Sequence, residues 1–227
     1  MQKDLVKNSF SSAAKTYDSV AEIQNLSSRE LVNLVDIPKI STVLDIGCGT
    51  GNTSLELYEK FPSADYTLCD LSENMLRIAS QKFPKKIQTI CCDAESYDFT
   101  ENYDVGISNL CVQWFEDIPK FVKKIKNHCE NFAFSTLLDS SFIRYKNCFD
   151  IPPTFDYSSA EKLLHSIDKV KKYKIANYSL EFENFFAVVR YFRKLGANLR
   201  STKQKSMPKI STQSPFVLDY EIIFVIV

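Results

Sequence analysis

Residues 43–51 read VLDIGCGTG, a short apolar run broken by one aspartate and followed by glycine at three alternate positions, Gly47, Gly49 and Gly51. The chain of 227 residues holds only five glycines, so this stretch is a concentrated demand for bare backbone. A strand that runs straight into such a turn and then into a helix brings main chain against a ligand. Each glycine removes a Cβ that would collide with it, and the helix start offers free N–H groups.

The pattern that follows fits this reading. Strands are predicted at 43–46, 66–69, 87–91, 103–108 and 132–137, with helices at 53–61, 73–83 and about 117–128, the first two closed by Pro62 and Pro84. Such alternation predicts an α/β domain with a mostly parallel sheet and helices on both faces. Ligands then sit at the carboxyl ends of the strands, beside the switch in strand order, where the glycine turn lies. Residues 5–36 read as helical, leading to Pro38. After 138 the alternation breaks. Residues 139–157 are irregular and contain Pro152-Pro153; a helix at 158–168, a strand at 173–180 and a helix at 184–195 stopped by Gly196 follow. After a polar loop over 197–214, the closing FVLDYEIIFVIV is expected to be an antiparallel strand at or near the sheet edge. The whole chain, 1–227, reads as one domain: a helical lid over 1–36, a ligand-binding core over 40–138, and a pocket-forming remainder over 139–227.

Composition narrows the partners. Lys+Arg and Asp+Glu are both 28, a net charge of zero, which gives no electrostatic reason to expect nucleic acid or a membrane surface. The apolar runs are short and the first residues lack an apolar signal core, so a cytoplasmic protein is expected. Seven cysteines without a CxxC pair read as reduced, mostly buried thiols, with no metal.

Two ligand classes use a glycine turn after a strand. A dinucleotide needs G-x-G-x-x-G, but Asn52 stands where that pattern wants its last glycine, and Asp45 would repel a pyrophosphate. A cationic ligand reverses the argument. S-adenosylmethionine carries an ammonium and a sulfonium, which suit a carboxylate at Asp45 acting through water or by ordering the loop around Cys48. Asp70, about twenty residues on at the end of the second strand, can accept both ribose hydroxyls if Ser72 caps the next helix instead. Leu71 and Met75 can wall an adenine face. Asp93, after the third strand, can accept the adenine amino group, with Ala94 supplying an N–H. Three acids at three successive strand ends converge on one edge.

The D-x-G-x-G-x-G turn resembles the first motif of class I methyltransferases. SNLCVQWFEDIPKFVKKI resembles the S-N-L-x-V-Q-W signature of the biotin-pathway malonyl-acyl-carrier-protein O-methyltransferases, and similarity in order extends from SFSSAAKTYDSVAEIQNLSSREL, with its pair of N-terminal helices, to LDYEIIFVIV. The family's fold is Rossmann-like: a mostly parallel seven-stranded sheet, an antiparallel final strand, helices on both faces and an N-terminal helical lid. The resemblance implies methyl transfer from S-adenosylmethionine to the free carboxylate of a malonyl thioester on acyl carrier protein, an early step of biotin synthesis. Asn109, Leu110, Gln113 and Trp114 should sit where cofactor meets acceptor. Arg144 is the candidate to hold the acceptor carboxylate and Tyr17 the candidate lid residue. The lysine runs 120, 123, 124, 126 and 169, 171, 172, 174 are candidate docking surfaces for the acidic carrier. Two departures stand out: NHCEN at 127–131 replaces a Pro-Gly-Gly turn, and 139–157 is short. Another small-molecule methyltransferase, a respiratory complex I assembly factor of similar sequence, and a nicotinamide oxidoreductase remain competing readings.

Overall fold

A computed structural model describes residues 3–148, 157–197 and 215–227. Pro152 and Pro153 lie outside the described residues.

The helical stretch read over 5–36 is two helices, α1 (Lys3–Tyr17) and α2 (Glu22–Leu34). Between them Ser19 and Val20 N–H groups turn back onto the Thr16 and Tyr17 carbonyls. The alternation follows: β1 (Thr42–Ile46), α3 (Asn52–Lys60), β2 (Asp65–Asp70), α4 (Glu73–Lys82), β3 (Gln88–Cys91), β4 (Tyr103–Asn109), α5 (Ile118–Ile125) and β5 (Cys129–Leu137). Short helices α6 (Ile143–Lys146) and α7 (Ala160–Ser166) precede β6 (Lys172–Phe182), α8 (Phe185–Leu195) and β7 (Phe216–Ile226).

The sheet order is β3-β2-β1-β4-β5-β7-β6. Strands β1 to β5 run parallel, and β7 is antiparallel to both neighbours. The last strand lies one place in from the edge, because β6 pairs with it from Lys172–Ile226 to Phe182–Phe216 and takes the edge itself. From β1 the chain moves outward through β2 and β3, then crosses to β4 on β1's other side. The switch in strand order therefore falls between β1 and β4, where the glycine turn emerges.

Strand β1 is buried on both faces, as a central parallel strand must be. Val43 enters the core layer of Leu31 and Leu57, while Leu44 and Ile46 enter the opposite layer with Phe121 and Phe132. Asp45 shares the parity of Val43 and so faces α2 and α3. Helix α5 shows why the second layer is stable. Asp117 caps it by accepting from Lys120 N–H at 2.9 Å, and Phe121, Val122 and Ile125 turn inward. Each such buried side chain contributes about 1.5–3 kcal/mol.

Candidate active site

Leaving β1, the Gly47 and Cys48 N–H groups both donate to the Cys69 carbonyl, at 2.7 and 3.0 Å, which stitches the turn to β2. Asp70 closes the arrangement. Its Oδ2 accepts from Gly49 N–H at 2.9 Å and its Oδ1 from Ser72 N–H at 2.7 Å. Ser72 caps α4 by accepting from Met75 N–H at 3.3 Å, as the sequence suggested. Each Asp70 oxygen keeps a further lone pair for a ligand hydroxyl.

The three glycines are bare for different reasons. A Cβ on Gly47 would lie 2.0 Å from Cys111 Sγ, so that position is closed by the protein itself. A Cβ on Gly49 would meet nothing within 4 Å; it would project into open space over the cleft. At Gly51 a Cβ would come 3.0 Å from the Ala79 Cβ of α4, so this glycine serves helix packing rather than a ligand.

The cleft beside this turn encloses about 710 Å³ including its mouth, within the range of small-molecule sites. Gly47, Gly49, Asp70, Leu71 and Met75 line it, together with Asp93, Ala94, Asn109 and Leu110. Asp45, Cys48 and Gly51 do not line it. Asp45 is 1% exposed and accepts from Ser54 Oγ at 2.6 Å, so it orders the start of α3. Cys48 is buried, with its thiol turned to the Gly49 carbonyl.

Asn109 lies on the cleft wall with its amide fully committed. Oδ1 accepts from Ser27 and Ser135, both at 2.6 Å, and Nδ2 donates to the Gln24 carbonyl and to Ser28 Oγ, both at 3.0 Å. It braces α2 against β4 and β5 and has no amide group left for a ligand. Leu110 follows with φ at +47°, a bend that non-glycine residues rarely adopt and that clusters at functional sites.

Lys3 and Cys111 were missed in the sequence. Lys3 of α1 lines the cleft and donates to Asp93 Oδ1 at 3.2 Å and to Glu95. Nothing local marks this contact, which spans 90 residues of chain. Cys111 is the variable position of S-N-L-x-V-Q-W, and its partner Gly47 gives the only hint.

A second, aromatic chamber adjoins the cleft. Phe10, Tyr17, Leu110 and Trp114 line both spaces and form the doorway between them, with Phe10 and Trp114 in edge contact at 5.5 Å. Beyond the doorway stand Phe142, Tyr157, Phe192 and Tyr220, together with Gln24 and Gln113. Gln113 donates to the Leu110 carbonyl at 2.7 Å. No lysine or arginine among the described residues lines this chamber.

Arg144 departs from expectation. Tyr145 of the same short helix is buried, which turns its neighbour outward. The Arg144 guanidinium lies 4.7 Å over the Phe216 ring and donates to the Pro215 carbonyl at 3.3 Å, and it lines neither space. None of the lysines of the two runs lines either space. Lys124 Nζ is spent on the Ala94, Glu95 and Tyr97 carbonyls. Lys126 reaches the Asp168 carbonyl, and Lys171 N–H bonds to Ile226 at the end of β7, which pairs with the start of β5. Lys126 and Lys171 therefore lie at the end of the sheet opposite the glycine turn, and Lys174 is paired with Glu30.

Burial dominates the electrostatics. It raises the Asp45 carboxyl to about 7, against the Ser54 hydrogen bond, and the Asp70 carboxyl to about 6, against the Ser72 and Gly49 N–H groups. Burial also pushes Tyr17 up, helped by Tyr191, Asp18 and Asp70, so its hydroxyl stays protonated at neutral pH. A cation bound beside Asp70 favours the ionised carboxylate, so its binding releases a proton near pH 6. The affinity is full above that value and is lost as pH falls. S-adenosylmethionine should bind about ten-fold more weakly at pH 5 than at pH 7.5, read by calorimetry in two buffers of different ionisation enthalpy. A flat profile without proton release would place the cation away from Asp70.

The comparisons with known proteins agree with this geometry. A family described as a methyltransferase domain matches residues 43–131. A malonyl-acyl-carrier-protein O-methyltransferase of Neorickettsia risticii is 30% identical over 210 residues, 87% of this chain and 84% of that protein. The chain belongs to the malonyl-acyl-carrier-protein O-methyltransferase family. A second family member, from Acetivibrio thermocellus, is 28% identical across 91% of this chain and 82% of its own. The family match from Priestia megaterium, 33% identical, spans 66% of this chain and only 57% of that protein. Among solved structures, a putative methyltransferase of Bacillus halodurans superposes with a TM-score of 0.65 at 14% identity, over 88% of this chain and 97% of its own. A plantazolicin methyltransferase in complex with S-adenosylhomocysteine gives 0.58 at 17%, over 97% and 93%. These likenesses establish the class I, Rossmann-like fold of the family.

Proposed function

We propose that this protein transfers the methyl group of S-adenosylmethionine to the free carboxylate of a malonyl thioester carried on acyl carrier protein, an early step of biotin synthesis. The observation that carries this reading is the pair of adjoining spaces: an acid- and glycine-lined cleft and an aromatic chamber with one doorway between them.

The cleft fits the cofactor. Gly49 leaves room where any other residue would intrude, Asp70 retains lone pairs for ribose hydroxyls, and Leu71 and Met75 offer apolar walls. Asp93 can accept an adenine amino group through Oδ2, since Lys3 and the Glu95 N–H engage Oδ1. When bound, S-adenosylmethionine supplies an electrophilic methyl on a cationic sulfur.

The chain's own work is to hold an anion near that doorway and to exclude water. A carboxylate is ionised at neutral pH and needs no general base. Opposite charges cancel as the methyl moves, so a dry chamber favours the reaction. Tyr17, held protonated by burial, can donate to the carboxylate, and no described lysine or arginine lines the aromatic chamber to compete with it. Tyr17→Phe should lower kcat by about ten-fold or more, the loss of one hydrogen bond to a charged group, with little change in the dissociation constant of S-adenosylhomocysteine. Unchanged turnover would remove Tyr17 from the acceptor.

The same cleft would serve another small-molecule methyltransferase, and the assembly-factor reading differs in its partner. Expression in a host deprived of its own malonyl methyltransferase separates them. Restored growth without biotin is expected, and continued auxotrophy with soluble, cofactor-binding protein would discard the malonyl acceptor.

A further inference from the structure

The aromatic chamber holds two hydrogen-bond acceptors that no described residue satisfies. The side-chain oxygens of Gln24 and Gln113 are both buried without a donor. Gln113 donates through its amide nitrogen to the Leu110 carbonyl, a group that can only accept, so the orientation of that amide is fixed and its oxygen is the free end. Gln24 is 9% exposed and bonds to the Tyr191 hydroxyl, which also accepts from the Tyr220 hydroxyl at 2.8 Å. An acceptor buried without a donor forfeits the hydrogen bond it would make to water, so a pair of them lining one chamber calls for a ligand that donates.

The malonyl group cannot be that donor. It carries an ionised carboxylate and a thioester carbonyl, all acceptors, and a carboxylate placed against two bare amide oxygens would be repelled. The carboxylate therefore belongs at the Tyr17 doorway, and the donors must come from elsewhere in the acceptor. A carrier arm of the pantetheine type presents secondary-amide N–H groups spaced along methylene chains. The amides match the two oxygens, and the methylenes match the surrounding aromatic rings.

We infer that Gln113 and Gln24 set acceptor specificity: their side-chain oxygens accept from the amide N–H groups of the thioester arm, so the chamber selects an amide-bearing malonyl thioester over one without amides. This rests on the malonyl acceptor proposed above and assigns how the rest of that acceptor is recognised.

The test compares two synthetic acceptors with the same reacting end, malonyl-pantetheine and the malonyl thioester of butanethiol, using the full chain and S-adenosylmethionine. The wild-type protein should favour the pantetheine thioester in kcat/KM by about ten-fold or more. Gln113→Met and Gln24→Met, which keep length and remove the acceptor, should collapse that ratio toward one, with S-adenosylhomocysteine affinity as the control for folding. Equal kcat/KM for the two acceptors in the wild-type protein would overturn the inference, and so would a ratio untouched by both substitutions. Either result leaves the methyltransfer reading standing, whereas methylation of neither thioester overturns that reading and this inference together.

Discussion

Asp70→Ala is expected to weaken S-adenosylhomocysteine binding by about a hundred-fold or more. The carboxylate does two jobs at once. In the account above it accepts the ribose hydroxyls, and it also holds Gly49 N–H at 2.9 Å and Ser72 N–H at 2.7 Å, which fixes the turn relative to α4. Hydrogen bonds to a charged group contribute about 1.5–3 kcal/mol each, so losing two ligand contacts together with the shape of the turn accounts for that factor. Calorimetric titration gives the dissociation constant, and far-ultraviolet circular dichroism checks that the fold persists. Binding within about three-fold of wild type would show that the ligand does not reach Asp70.

The second large effect separates two neighbouring glycines. Gly47→Ala should destabilise the protein by about 3–5 kcal/mol, combining the cost of a left-handed backbone with overpacking against Cys111, whose sulfur lies 2.0 Å from the added methyl. Gly49→Ala carries the backbone cost of about 1–2 kcal/mol, because nothing lies within 4 Å of its methyl. That methyl instead occupies the space assigned to the cofactor, so affinity should fall by about ten-fold or more. Chemical denaturation and S-adenosylhomocysteine titration, run on both variants, read the two effects apart. The opposite pattern, a stable Gly47→Ala and an unstable Gly49→Ala that binds normally, would contradict the geometry.

The sheet and its ligand edge were legible because parallel strands carry continuous apolar runs and end on residues with conspicuous chemistry. Gly47, Gly49 and Asp70 stand at the strand ends that the sequence pattern marks, and all three line the cleft. Asp45 was harder. Its position before the turn suggested a ligand contact, yet side-chain parity sends it with Val43 toward α3, where Ser54 receives it. Parity within a central strand is visible in sequence, but which layer it faces is not. Asn109 shows a second limit: four hydrogen bonds from α2 and β5 consume its amide, and those partners come from sites 26 to 85 residues away. Arg144 has the right chemistry and follows β5, but burial of Tyr145 in the same turn of helix sets its direction. The lysine runs show a similar limit: sequence reports their charge, whereas strand register is what puts Lys172 and Lys174 at the start of β6, paired with the end of β7.

The most direct measurement is mass spectrometry of malonyl-acyl carrier protein after incubation with this protein and S-adenosylmethionine. The account predicts that the carrier gains one methyl group as a base-labile ester on the malonyl carboxylate, with one S-adenosylhomocysteine formed for each. A carrier of unchanged mass, in the presence of protein that binds the cofactor, would contradict it.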